Sequence, residues 1–289
     1  MAKRQNTMRV LRTERLSPHF VRVHLGGDGF DGFVPVRGHD DVSTDWDTDM
    51  YIKIVFMPDG SPVPDDIDAT ALRGGSGEPD RAVLRTYTVR SYDPVSRELA
   101  VDFVVHGDEG LAGPWALRAQ PGEAVRFVGP GSGYRPRPDA PWHLFACDEA
   151  GLPAVAAALE SLPADARGQA FIEVADAGDE LTLTAPAGVE ISWIHRGGGA
   201  GEVGDEVAGD NAPLIAAVRA APWWDGEPQV FIHGEAQAVM HNLRGYIRRV
   251  RGVSAANASI SGYWRRGRTE EGFRQWKAEL RKTEEQPPG

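Results

Sequence analysis

Within the run "RTYTVRSYD", residues 85–93, an arginine, a tyrosine and two threonines occupy successive positions. In a strand, Arg85, Tyr87 and Val89 share one face, and Thr86, Thr88 and Arg90 share the other. The planar guanidinium of Arg85 can grip a phosphate at two points, and the Tyr87 ring two positions on offers a surface for stacking. Thr88 adds a hydroxyl and a backbone N–H for a polar ring edge. Such a group suits a flat anionic dinucleotide, although an exposed edge strand carries the same alternation. Further on, "GLAGPWA", residues 110–116, is a small-residue turn that opens a helix. Free N–H groups at a helix start bind phosphate, and small side chains permit close approach. Arg85 and the amides near Ala112 and Gly113 could therefore hold one pyrophosphate between them.

A second group of candidates lies in the other half. In "HLFACDEAGLPA", a strand runs into a helix that Asp148 or Glu149 can cap, and Pro153 fits its first turn. "WIHRGG" puts His195 and Arg196 at a strand end, where Arg196 is either a 2′-phosphate ligand or a solvated loop arginine. "HGEA" sets Gly234 at a strand–helix turn, with His233 a ligand contact or a structural hydrogen-bonder. In "GYWRRGR", Tyr263 and Trp264 alternate, so only one of them can face a given ring. Lys53, inside the apolar run "YIKIVF", needs a reason, and snorkelling from a rim is one.

The elements that carry these residues fall into two halves. β-rich runs begin near Thr7, His19, Met50, Ala82, Glu98 and Glu123, several with period-two alternation, and one helix stands between the last two. Six strands and a helix predict a six-stranded antiparallel β-barrel. A Pro- and Gly-rich stretch at residues 130–142 interrupts the pattern. After it strands and Ala-rich helices alternate, which predicts a parallel sheet with helices on its faces and a nucleotide crevice at the strand ends. The expected division is residues 1–137 and 138–289, and the chain ends in a helix begun near Thr269.

The 289 residues suffice for two domains, and the net charge of -11 argues against nucleic acid or an anionic membrane as the default partner. The single cysteine, Cys147, excludes an internal disulfide or a cysteine-rich metal site and reads as a small buried residue. The acidic run at residues 39–49 lacks the ligand spacing of a calcium loop. No apolar run is long enough to span a membrane, and the cytoplasm is the simplest location.

Together these pieces resemble the siderophore-interacting, FAD-binding proteins of the ferredoxin-reductase-like superfamily. The resemblance rests on R-x-Y-T-x-R at residues 85–90, D-F-V-x-H-G at 102–107 and the Gly-rich turn before Trp115. It continues with D-E-x-x-L-P-A at 148–154, H-G-E-A at 233–236 and G-Y-W-R-x-G at 262–267. It implies FAD in the barrel, with Arg85 on the pyrophosphate, Tyr87 against the isoalloxazine, and Thr86 and Thr88 in the same contact run, Thr88 near N5. Asp102, Phe103, Val105 and His106 would line the ribityl chain and ring, and Trp264 would face the flavin. One departure is the turn, which here reads "GLAGP" and lacks a side-chain hydroxyl, so phosphate binding would rest on backbone N–H groups at Ala112 and Gly113.

The resemblance further implies NAD(P)H in the second domain, at Asp148, Glu149, Arg196 and Gly234. On the strength of Arg196, NADPH is expected to serve at least as well as NADH. A basic floor for an anionic ferric siderophore would come from Lys53, Arg265, Arg266 and Lys277. The implied activity is reduction of ferric siderophores by FAD with electrons from NAD(P)H, without a catalytic acid–base residue or a resident metal. A ferredoxin-fed reductase of the same fold and a non-catalytic siderophore carrier are the alternatives.

Overall fold

The computed structural model describes residues 4–37, 46–70, 72, 82–106, 110–270, 272–273 and 275–277. The greater part of the acidic run at 39–49, much of the turn at 58–80, and Gly107 lie outside the described residues.

Alternation closes the first half into a barrel. The strands β1 (Gln5–Ser17), β2 (Phe20–Gly26), β3 (Tyr51–Phe56), β4 (Val83–Asp93), β5 (Glu98–Val104) and β6 (Ala124–Gly131) pair antiparallel in the order β1-β2-β5-β4-β3-β6. Inward positions such as Met8, Val23, Ile52, Ile54, Leu99, Phe103 and Phe127 form one buried core. Each contributes about 1.5–3 kcal/mol by leaving water. The helix α1 (Ala112–Arg118) packs Ala112 and Ala116 into that same core.

The second half is a five-stranded parallel sheet. Its strands β7 (His143–Cys147), β8 (Arg167–Val174), β9 (Gly188–His195), β10 (Gln229–Glu235) and β11 (Ala258–Trp264) lie in the order β11-β10-β7-β8-β9. β7 and β10 are buried at every position, as expected of strands covered on both faces. The helix α2 (Leu152–Ser161) packs in one apolar cluster and α3 (Pro213–Ala220) in another. The expected helix after β10 is one continuous helical stretch that contains two wider-wound segments, α4 (Gln237–Leu243) and α5 (Tyr246–Val250). Strand order reverses between β7 and β10, which makes that gap the topological switch point.

The two halves are locked together. Phe20 of β2 is fully buried in the apolar cluster of the parallel-sheet half. Asp179, beyond β8, accepts from Ser17 Oγ at 2.6 Å and from the His19 amide at 3.0 Å, with His19 Nδ1 2.6 Å from its other oxygen. The stretch between the halves is pinned by Gln229, whose amide bonds Arg137 N at 2.6 Å and Arg135 O at 3.0 Å. The C-terminal helix begins as expected, with Phe273 N bonded to Thr269 O at 2.8 Å. Among the described residues no helix is long and apolar enough to cross a membrane.

Candidate functional site

The two faces of β4 do different work. On the barrel side, the Tyr87 ring lies 4.4 Å from that of Phe103, tilted by 40°, and Phe103 meets Trp115 edge-on at 5.4 Å. Burial, then the nearby charge of Glu270, raise the Tyr87 hydroxyl pKa. Arg85 shares this face at the barrel edge. The opposite face meets the other half of the chain at three successive positions. Thr86 bonds Glu270, Oγ1 to Oε1 at 2.9 Å, Thr88 bonds the Tyr263 side chain, and Arg90 grips Glu160 at 2.5 and 2.8 Å. A bulge in the β4–β5 ladder between Val89 and Ser91 sets Arg90 out of register and lets it reach α2.

The β5 candidates separate. Phe103 is fully buried in the barrel core, and buried Val105 donates its amide to His19 O at 2.9 Å. Asp102 is turned outward, because its neighbour Phe103 points in, and both its oxygens are taken by Arg22 at 2.6 and 2.9 Å. The carboxylate expected beside the flavin is thus engaged by Arg22. His106 is exposed at the end of this run; partial desolvation lowers its pKa, and Glu149, His19 and Arg196 are the next charges. Ala112 and Gly113 form the first turn of α1, with Gly113 beside Val104 and Val105.

In the parallel sheet, register brings one residue from the carboxyl end of every strand to a single open crevice. In sheet order these are Trp264, Glu235, Asp148, Glu173 and Arg196. Asp148 is the hub. Its Oδ1 accepts from Ala150 N at 2.9 Å, and its Oδ2 from Glu235 N and Trp264 Nε1, both at 2.7 Å. Burial, reinforced by Glu149, pushes its pKa up to about 7. Gly234 serves this hub, since a Cβ there would stand 2.8 Å from the Asp148 carboxyl carbon. Its role is to admit Asp148.

Arg196 is not a solvated loop arginine, and its cation is already engaged. Its guanidinium is buried and held by Glu149 at 2.5 and 3.2 Å and by Glu173 at 2.9 Å. Burial opposes its charge, but the bonds to Glu149 and Glu173 more than offset that and raise its pKa. Glu173 Oε2 also accepts from Leu214 N at 2.8 Å, at the start of α3. Its carboxyl pKa is raised by burial.

The expected basic floor divides. Lys53 pairs in register with Thr86 and its Nζ lies 3.4 Å from Thr86 Oγ1. Lys277 reaches Ser261 Oγ and Gly262 O, both at 3.1 Å. Arg265 and Arg266 instead turn to the crevice: Arg265 Nη1 is 3.2 Å from Glu235, and Arg266 bonds the Ala200 and Val203 carbonyls. Trp264 also faces the crevice, through Asp148. It is Tyr263 that meets Thr88, and its ring stands edge-on to His233 at 4.7 Å. The β10–β11 ladder shifts between Gly234 and Glu235, pairing Glu235 with Trp264 and skipping Tyr263. The alternation of the pair was legible, but that shift was not. Glu173 and Glu235 carry no local signal in the sequence that marks a strand-end carboxylate as a crevice wall.

A closed antiparallel barrel followed by a parallel sheet, with a crevice at a switch point, is the fold of a ferredoxin reductase. The sequence matches the siderophore-interacting FAD-binding domain over residues 9–134 and the siderophore-interacting protein domain over 140–267. The chain belongs to the siderophore-interacting protein family. It is 30% identical to the ferric vibriobactin reductase ViuB of Vibrio cholerae, over 91% of this chain and 90% of that one. It is 36% identical to an NADPH-dependent ferric-chelate reductase of Escherichia coli, over 64% of this chain and 69% of the relative. Among solved structures, a siderophore utilization protein from T. fusca superposes with a TM-score of 0.73 at 33% identity, covering 93% of this chain and 95% of that one.

Proposed function

We propose that this protein is an FAD-dependent ferric-siderophore reductase that draws its electrons from NAD(P)H. The observation that carries the reading is the two-sided use of β4. Its barrel face sets Arg85 beside a Tyr87 ring backed by Phe103, and its other face joins the half with the nucleotide-type crevice. A guanidinium, a buttressed aromatic ring and the first turn of α1 form a donor set that fits a flat ring system joined to a pyrophosphate. Bound FAD supplies conversion of a two-electron donor into single electrons, which Fe(III) requires.

The residues of the chain bind and align. Arg85 would hold the pyrophosphate with the amides of Ala112 and Gly113, and Tyr87 would back the ring. Thr88 would stand at the ring edge with Tyr263 above it, and Phe103, Val105 and His106 would enclose the remainder. Lys53, on the rim beside Thr86, would draw an anionic ferric siderophore towards that edge, with Lys277 contributing from the C-terminal helix. Once reduced, iron is released because Fe(II) is a softer, less charged ion for hard oxygen chelators. The named activities of the V. cholerae and E. coli relatives support the substrate and donor classes. The reading divides the chain at residues 137 and 138 and places its work in the cytoplasm.

The test is purified protein under nitrogen with NADH or NADPH, a ferric siderophore and a colorimetric Fe(II) trap. The reading requires a yellow protein that releases FAD on denaturation and forms Fe(II) in proportion to nicotinamide consumed. A colourless protein that binds the chelate without reducing it is a carrier, and the reading fails.

A further inference from the structure

The crevice at the switch point is built unlike a phosphate site. A helix start is the ordinary place for a phosphate, through free N–H groups and the dipole. Here the starts that meet the crevice are already capped by the chain's own carboxylates. Asp148 takes Ala150 N before α2, Glu173 takes Leu214 N in α3, and Glu235 takes Gln237 N at 2.7 Å and Ala238 N at 3.0 Å in α4. The cations at the end of β9 are engaged as well. Arg196 is sandwiched by Glu149 and Glu173, and His195 Nε2 is 2.7 Å from Glu180.

We propose that this crevice selects against the 2′-phosphate, so that the nicotinamide donor is NADH rather than NADPH. The inference rests on the reading that a nicotinamide nucleotide enters this crevice, and it names which one. The extra phosphate would bring further negative charge to a wall that holds Asp148, Glu173 and Glu235 and whose cations are already engaged, Arg196 by Glu149 and Glu173, Arg265 by Glu235, and Arg266 by the Ala200 and Val203 carbonyls. Like charges brought together in a partly desolvated site disfavour binding. Recruiting Arg196 would break a buried ion pair and leave Glu149 or Glu173 uncompensated. NADH makes neither demand. Arg196 is thus a positioning residue that holds two carboxylates in place, and Glu149 and Glu173 are the residues that set specificity.

The test is calorimetric titration of the FAD-loaded protein with NAD+ and with NADP+, which reads binding apart from turnover. The wild type is expected to bind NAD+ about tenfold or more tightly than NADP+. Glu149→Gln, which removes one carboxylate charge from Arg196, should narrow that gap by tightening NADP+, and Glu173→Gln, which keeps an acceptor for Leu214 N, should act in the same direction. Equal or tighter NADP+ binding by the wild type overturns the inference and leaves the donor reading standing. Binding of neither nucleotide, with flavin reduced by a one-electron protein donor such as a ferredoxin, overturns the donor reading and the inference with it.

Discussion

Trp264 donates its indole N–H to Asp148 Oδ2 at 2.7 Å, joining β11 to the end of β7 across the intervening β10. The same oxygen accepts the Glu235 amide from β10, so one carboxylate ties together the ends of three strands. Asp148→Ala would leave at least two buried N–H donors without an acceptor, at about 1–3 kcal/mol each. Urea unfolding should show a clear drop in midpoint at unchanged slope. An unaltered midpoint would mean that the hub is dispensable.

Arg85 and Tyr87 are expected to govern FAD retention. Arg85→Ala should weaken FAD binding by roughly 1.5–3 kcal/mol, the scale of a charge-assisted hydrogen bond, as read by fluorescence titration of apoprotein. A folded variant that keeps FAD as tightly as the wild type rules out the clamp.

The neighbours Tyr263 and Trp264 should behave differently. Because Tyr263 meets Thr88 and Trp264 meets Asp148, Tyr263→Ala should alter the visible spectrum of the bound flavin. Trp264→Phe should leave that spectrum nearly unchanged. The reverse pattern would restore Trp264 as the flavin neighbour.

How far the sequence discloses this site can be judged from these same residues. The six barrel strands are visible because Ile52, Ile54 and Phe56, like Val83, Tyr87 and Val89, alternate with outward residues, and alternation is a local signal. The chemistry of β4 is visible for the same reason. Arg196 is different. Its partners lie 23 and 47 residues away and meet it only because parallel strands end in register, so a buried arginine and a solvated one look alike in sequence. Asp102 shows the same limit: its residue type invites a ligand role, but Arg22, 80 residues away, already holds it.

Lys53 and Arg265, grouped by charge alone, are expected to separate by function. Lys53→Ala should slow oxidation of the reduced flavin by an anionic ferric siderophore and spare a neutral one. The wild-type rate should fall with salt, since charges at a rim are screened over about 8 Å at physiological ionic strength. Arg265, turned to Glu235, should act on the nicotinamide half-reaction. Equal effects of both substitutions on both half-reactions, by stopped-flow absorbance, would contradict this division.

Acid should weaken the fold through His143. Burial lowers its pKa to about 4 from an ordinary 6.5. A folded pKa below the unfolded one stabilises above pH 6.5, and that stability is lost as pH falls towards 4. The shift corresponds to roughly 3 kcal/mol at most. Asp148 acts with the opposite sign, because its raised folded pKa stabilises at low pH and is lost as pH rises through about 7. His143→Leu should therefore flatten the acid side of the urea-unfolding profile, and an unchanged profile would assign the acid loss elsewhere.

Electron transfer from flavin to a ferric siderophore can be followed by anaerobic stopped-flow absorbance. FAD-loaded protein is reduced by NADH and mixed with a ferric siderophore and an Fe(II) trap, following flavin absorbance and trapped iron together. Flavin absorbance should return as trapped Fe(II) appears, in single-electron steps and much faster than in protein-free controls. Flavin that stays reduced until oxygen is admitted, while the chelate binds and keeps its Fe(III), would contradict it.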